Sequence, residues 1–143
     1  MQAARLSKDD YFMEIVKAVA SRSTCLDKQV GCVLVSRNGI ILATGYNGAP
    51  RNMQHCGTCR VKSTGNKQSC PAAHAEQNAL LYAVPTDIFA CYCSLEPCLA
   101  CTRMLMNTTC EKVVFAQKTN PRHSGIKLWR ELNGGATWEY RPG

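Results

Sequence analysis

Two short stretches carry residue types from which a reaction could be built: His74-Ala75-Glu76 and, one helix and one strand later, Pro97-Cys98-Leu99-Ala100-Cys101. Cys98 and Cys101 stand three apart, so on a helix both sulfurs share one face at its N-terminal turn, where the macrodipole favours thiolate. His74 can add an imidazole from the start of the preceding helix. Three nitrogen and sulfur ligands with one position left open describe a catalytic zinc rather than a structural one. Glu76, two residues from His74, can take a proton from a metal-bound water, whose pKa falls to about 7, and hand it to a leaving amine. Each residue alone has a plainer reading: C-x-x-C is also the spacing of a redox pair, a lone histidine caps or fills, and a first-turn glutamate is solvated. Their combination in this order points to hydrolytic removal of an amine from an amidine-like ring.

The chain has ten cysteines, and they sort by neighbourhood. Cys32, Cys91, Cys93 and Cys110 lie in or beside apolar runs, where a free cysteine behaves as a small core hydrophobe. Cys56-x-x-Cys59 followed by Cys70 is one ligand short of a closed tetrahedral zinc site, with Cys25 the candidate fourth and His55 its competitor. Such a clip would hold the long stretch from Tyr46 to Pro71, rich in Gly, Asn, Cys and basic residues and without periodicity, which reads as a loop.

The elements that must position these groups follow from the pattern. Ser7 caps a helix with Asp9 and Asp10 in its first turn and Phe12, Ile15, Val16 and Val19 on one face, to about Ser21. Val30–Val35 and Ile40–Thr44 are β-branched runs joined by an Asn38-Gly39 turn, a hairpin signal. His74 opens a helix to about Ala83, Asp87–Ser94 reads as a strand, and Pro97 starts a helix to about Asn107, since proline suits the first helical position. Lys112–Ala116, Ser124–Leu132 and Ala136–Tyr140 read as strand, helix and strand, the last after Gly134-Gly135. This order predicts an α/β fold in which a mixed sheet carries helices on both faces.

A length of 143 residues suits one domain, and 45% hydrophobic with 19% charged residues is a globular balance. No apolar stretch approaches a membrane span, and the N-terminus has no apolar signal core, so a cytoplasmic protein without a membrane association is expected. Ten cysteines without a secretory signal favour metal or catalysis over a disulfide framework. Seventeen Lys and Arg against ten Asp and Glu give a net charge of +7, which favours an anionic partner.

The order H-x-E…P-C-x-x-C resembles the known signature of zinc nucleobase deaminases. With Gly45-Tyr46-Asn47-Gly48-Ala49-Pro50, Ser21-Arg22-Ser23-Thr24-Cys25 and His74-Ala75-Glu76-Gln77-Asn78-Ala79, the chain resembles the cytidine and deoxycytidylate deaminase superfamily from its first helix to about Leu132. The branch acting on dCMP is the most similar. The resemblance implies a three-layer sandwich with a five-stranded mixed sheet, and one zinc-dependent deaminase domain over residues 1–143. It also implies zinc on His74, Cys98 and Cys101, with Glu76 as proton shuttle. Asn47 would bond the sugar hydroxyl and the backbone N–H of Ala75 the pyrimidine carbonyl.

The implied reaction is dCMP to dUMP and ammonia, in a homo-oligomer, dimer or hexamer, that takes a nucleotide rather than nucleic acid. A second, structural zinc at positions resembling Cys25 and Cys56 occurs in some members of that branch. Arg22, Arg51 and Arg122 are the candidate phosphate contacts, and Gly45 and Gly48 would let the backbone approach the ligand. Two features depart from the branch. Leu95-Glu96-Pro97-Cys98 is more like the tRNA adenosine, riboflavin-pathway and guanine deaminases, which keeps other bases (dCTP, cytidine, guanine, tRNA adenosine) as the alternative. Lys118–His123 lacks the tyrosine that gates the family's site, so control by dCTP and dTTP is not implied. A zinc-stapled binding module is a third reading, against which the intact His74, Glu76, Cys98 and Cys101 set stands.

Overall fold

The computed structural model describes residues 4–132 and 136–143. The readings made at residues 1–3 and at Gly134-Gly135 lie outside them. Five strands form one sheet in the order β2-β1-β3-β4-β5. These are β1 (Gly31–Val35), β2 (Ile41–Tyr46), β3 (Ala90–Leu95), β4 (Lys112–Gln117) and β5 (Thr137–Tyr140). β1 runs antiparallel to both β2 and β3, whereas β3, β4 and β5 are parallel, so the expected mixed sheet is present. The hairpin closes at Asn38-Gly39: Ser36 N–H donates to Ile40 O at 2.8 Å, and Gly39 takes a φ of 82°, which its missing Cβ permits.

Strand alternation sends one set of side chains to each face. Cys32, Leu34, Cys91, Cys93, Val113 and Phe115 pack with Ala75, Ala79, Leu105 and Trp129 from α3 (Ala75–Leu80), α4 (Leu99–Met106) and α5 (Ile126–Arg130). Val33, Val35, Tyr92 and Val114 pack on the other face against Phe12, Met13 and Val16 of α1 (Lys8–Ala20). The sheet is thus the middle of three layers. Cys32, Cys91, Cys93 and Cys110 are all buried, as their apolar surroundings predict; Cys91 Sγ lies 3.6 Å from Cys32 Sγ and 3.4 Å from Cys93 Sγ.

α1 begins where its cap predicts, with Ser7 Oγ accepting from Asp10 N–H at 3.1 Å. Asp9 lies between Tyr92 Oη at 2.6 Å and Lys112 Nζ at 2.8 Å, tying α1 to β3 and β4. Burial would raise its carboxyl pKa, but the bonds from Lys112 and Tyr92 hold it below the usual value.

Two local expectations are corrected. The stretch from Tyr46 to Pro71 is not all loop: it contains α2 (Arg60–Thr64), capped by Gly65 at φ 71°, and a 3-10 turn at Lys67–Ser69. β2 also continues to Tyr46, and the next residues are held by a reciprocal backbone pair between Gly48 and Ala73. α4 begins at Leu99 rather than Pro97, because Cys98 occupies the N-cap with extended backbone, φ −74° and ψ 171°. Among the described residues no helix is long and apolar enough to cross a membrane.

Candidate metal centre and active site

The N-terminal end of β1 and the C-terminal ends of β2 and β3 share one edge of the sheet, and both site helices start there. β3 ends at Leu95 and leads through Glu96-Pro97 to the Cys98 N-cap, so Cys98 and Cys101 project from the first turn of α4. His74 is the N-cap of α3, and its N–H donates to Gln77 Oε1 at 2.8 Å, which fixes the residue at the helix start. The imidazole meets the sulfurs through one atom: His74 Nδ1 lies 3.3 Å from Cys101 Sγ and 3.5 Å from Cys98 Sγ.

The ligand atoms of His74, Cys98 and Cys101 all lie within 4.8 Å of one another. A tetrahedral zinc with ordinary Zn–N and Zn–S lengths requires about 3.6 Å between a nitrogen and a sulfur ligand, so the cluster fits the ion. The cluster is graded in depth, with Cys101 buried, Cys98 half-buried and His74 exposed, and it therefore opens to solvent on the histidine side. Its protons are shared. Cys98 is drawn down to about 3, first by the bond from Cys101 and then by His74, while Cys101 is pushed up by Cys98, burial and Glu76. His74 is raised, chiefly by its bond to Cys98. A thiolate is thus available before any metal arrives.

Glu76 sits in the first turn of α3 with only 4% of its surface exposed. Burial pushes its carboxyl up to about 7, and Cys91 and Cys98 add to the rise. In the metal-free protein the carboxyl therefore holds its proton more tightly than an exposed glutamate. Ala75, fully buried, occupies the first helical position, where its N–H has no acceptor within the helix.

The remaining candidates are placed less uniformly. Asn47 Oδ1 accepts from Ser23 Oγ and from Val30 N–H at 2.9 Å, and Nδ2 donates to Lys28 O at 2.8 Å. Its side chain therefore holds the segment between α1 and β1, and one Nδ2 hydrogen remains for a ligand. Gly45 does not make room for a ligand. A Cβ there would lie 2.4 Å from both Ala75 O and Ala79 N, so the missing side chain lets β2 press against the backbone of α3. At Gly48 the same test meets Thr24 Oγ1 at 2.5 Å.

Arg51 Nη2 donates to Tyr82 Oη at 3.0 Å and lines a cleft of about 620 Å³ with His55 and Tyr46. That cleft borders Ala73 but includes neither the three ligands nor Glu76. Arg22 and Arg122 are exposed. Among the described residues, no three of Cys25, Cys56, Cys59, Cys70 and His55 have ligand atoms within 4.8 Å of one another. Cys59 is the N-cap of α2 and its side chain makes no cap bond, and Lys62 of that helix pairs with Asp27 at 3.2 Å, tying the loop to the segment after Cys25 by charge.

The sequence assigns no role to three residues at the site. Lys67 Nζ and His123 Nε2 meet at 2.6 Å, so the 46–73 and 118–124 segments touch at the site's edge. Backbone bonds seat the second segment on α4: Leu99 N–H donates to His123 O at 2.9 Å and Gly125 N–H to Pro97 O at 3.1 Å. Ser23 is the third, buried and bonded to Asn47. None of these contacts is periodic or local, and a single sequence gives no register between such distant positions.

The chain is similar to known proteins. Residues 6–117 match the family described as the cytidine and deoxycytidylate deaminase zinc-binding region. The chain is 38% identical over 141 residues to a deoxycytidylate deaminase of Saccharomyces cerevisiae, covering 93% of this chain but 44% of that protein. It is 36% identical to the deoxycytidylate deaminase of Mycobacterium phage D29, with 78% of this chain and 95% of that one covered. A crystal structure of the dCMP deaminase from cyanophage S-TIM5 in complex with dCMP and dUMP superimposes with a TM-score of 0.78 at 25% identity, covering 96% of this chain and 99% of that one. The chain thus spans less than half of the yeast relative and nearly all of the phage one.

Proposed function

We propose, because this chain belongs to the cytidine and deoxycytidylate deaminase zinc-binding family, that its 143 residues act as one domain that hydrolyses dCMP to dUMP and ammonia. The observation that carries this reading is the His74, Cys98 and Cys101 cluster, with nitrogen-to-sulfur distances of 3.3 and 3.5 Å, beside the buried Glu76. These three residues would hold the zinc. When bound, zinc supplies a water acidic enough to react at neutral pH.

The chain's own groups do the rest. Glu76 receives a proton at its carboxylate and delivers it to the amine nitrogen that leaves from C4, so dCMP and water become dUMP and ammonia without a net proton. Its burial keeps bulk water from competing for that proton. The Ala75 N–H orients the ring carbonyl, and the remaining Nδ2 hydrogen of Asn47 is free to meet the sugar hydroxyl. Arg122, on the 118–124 segment, and Arg22 are the phosphate contacts we favour. Arg51 faces the neighbouring cleft instead.

Ammonia release measured across dCMP, dCTP, cytidine, guanine and a tRNA anticodon stem tests the assignment. dCMP should be turned over with the highest kcat/KM. Preference for the tRNA stem, with affinity falling steeply in salt, would replace it by the nucleic-acid alternative.

Cys101→Ala should lose the zinc and all measurable deamination, because one imidazole and one thiolate cannot hold a catalytic ion. Retained zinc in that variant would remove the cluster from the mechanism. The reaction needs one zinc per chain, and a second equivalent on metal analysis that is lost in Cys59→Ser would restore the clip of Cys25, Cys56, Cys59 and Cys70.

Assembly into a homo-oligomer is supported by the exposed Leu81, Tyr82 and Val84, which follow α3 as an apolar edge. Light scattering should find a dimer or larger. Ten unpaired thiols suit the reducing cytoplasm.

A further inference from the structure

Glu96 lies between the end of β3 and the ligand Cys98, and it is 8% exposed. Among the described residues it has no salt-bridge partner. Burying such a carboxylate is costly unless its lone pairs are filled. Three donors fill them from three parts of the chain. Thr119 N–H reaches Oε1 at 3.2 Å, while Ser124 Oγ at 2.7 Å and Trp138 Nε1 at 3.0 Å reach Oε2.

Every one of these groups donates, and a carboxylate is the only side chain that accepts at both oxygens without offering a hydrogen. The donors bracket one segment. Thr119 and Ser124 stand at either end of the stretch that carries Arg122 and His123, and Trp138 holds the same carboxylate from β5. Ser124 Oγ also accepts from Ile126 N–H at 3.1 Å, so the bond continues into the start of α5.

We propose that Glu96 is a positioning residue that pins the 118–124 segment as one wall of the substrate opening, through a carboxylate clamped by Thr119, Ser124 and Trp138. The wall meets the other loop at Lys67 and rests on α4 beside Cys98, so its placement sets how tightly a bound nucleotide is held. Glu96 touches neither the ligand cluster nor the proton path. Glutamate at this position is therefore a determinant of substrate grip, and its effect belongs in KM. The inference rests on the deaminase reading only for the choice of substrate.

The test is Glu96→Gln in the zinc-loaded enzyme. The amide keeps the shape but turns one acceptor into a donor, which must then face Thr119 N–H or Trp138 Nε1–H. KM for dCMP should rise about tenfold while kcat stays within about threefold and zinc content is unchanged. Hydrogen exchange at the Thr119 amide and the Trp138 indole should accelerate in parallel. A fall in kcat at constant KM, or loss of zinc, would place Glu96 in the chemistry and overturn the proposal. Wild-type KM with wild-type exchange would reduce it to filling. Should Glu96→Gln fail to fold, Ser124→Ala removes one donor and is expected to raise KM about threefold with the same exchange signature; an unchanged KM there overturns the proposal equally. If the wild-type enzyme leaves dCMP untouched, the deaminase reading fails, and the exchange measurements alone decide whether Glu96 holds the segment.

Discussion

Glu76→Gln should lower kcat on dCMP about a thousandfold or more, leaving zinc content intact and KM little changed, because it removes a proton carrier without removing a ligand. Activity near that of the wild type would end the mechanism. The same substitution should make the metal-stripped protein more stable at pH 8, an effect of opposite sign. The Glu76 carboxyl titrates at about 7 in the fold against an ordinary 4.5, so between those values the folded protein binds more protons than the unfolded one. Its stability contribution is complete below about 4.5 and is lost as pH rises through 7. Glutamine abolishes the loss, worth about 1–3 kcal/mol above pH 7 and a rise of several degrees in Tm. At pH 4 the two stripped proteins should melt together. A wild-type Tm that is flat from pH 4 to 8 would mean that Glu76 carries no such strain.

Gly45→Ala has the largest expected effect on the scaffold. Its Cβ would fall 2.4 Å from Ala75 O and Ala79 N, both backbone atoms of α3, so no side-chain rotation relieves the clash. The helix must move, and it carries His74 at its start and Glu76 in its first turn. The cost is about 3 kcal/mol or more, roughly a 10 °C fall in Tm, with zinc affinity falling alongside. A variant with normal Tm and normal zinc content would show that β2 and α3 tolerate separation.

How much was legible beforehand differs between these sites for physical reasons. The metal cluster was readable because each ligand is placed by a local rule: a helix start at His74, and i, i+3 spacing at Cys98 and Cys101. α1 and the Asn38-Gly39 hairpin were readable likewise, from a cap and a turn whose partners lie within four residues. The start of α4 differs from the sequence expectation because proline fits the first helical position, yet here it precedes an N-cap that a cysteine occupies. Gly45 reads as ligand access in the sequence, whereas its close neighbour is a helix that starts thirty residues on. Glu96 was noticed only as a departure from a family pattern. Its partners lie 23, 28 and 42 residues on, and no periodicity links them. The role of Asn47 in fixing residues 23–30 was hidden for the same reason.

The ligand set also has an electrical consequence. Two thiolates and one neutral imidazole balance a dication, so the filled centre carries no net charge and exerts little pull on an anionic nucleotide at a distance. Long-range attraction must come from elsewhere. The chain's excess of seven positive charges supplies it, through a diffuse field that reaches about 10 Å into solution at ordinary ionic strength. Capture is therefore separated from chemistry: added salt should slow the arrival of substrate, while the neutral metal centre should keep its intrinsic turnover.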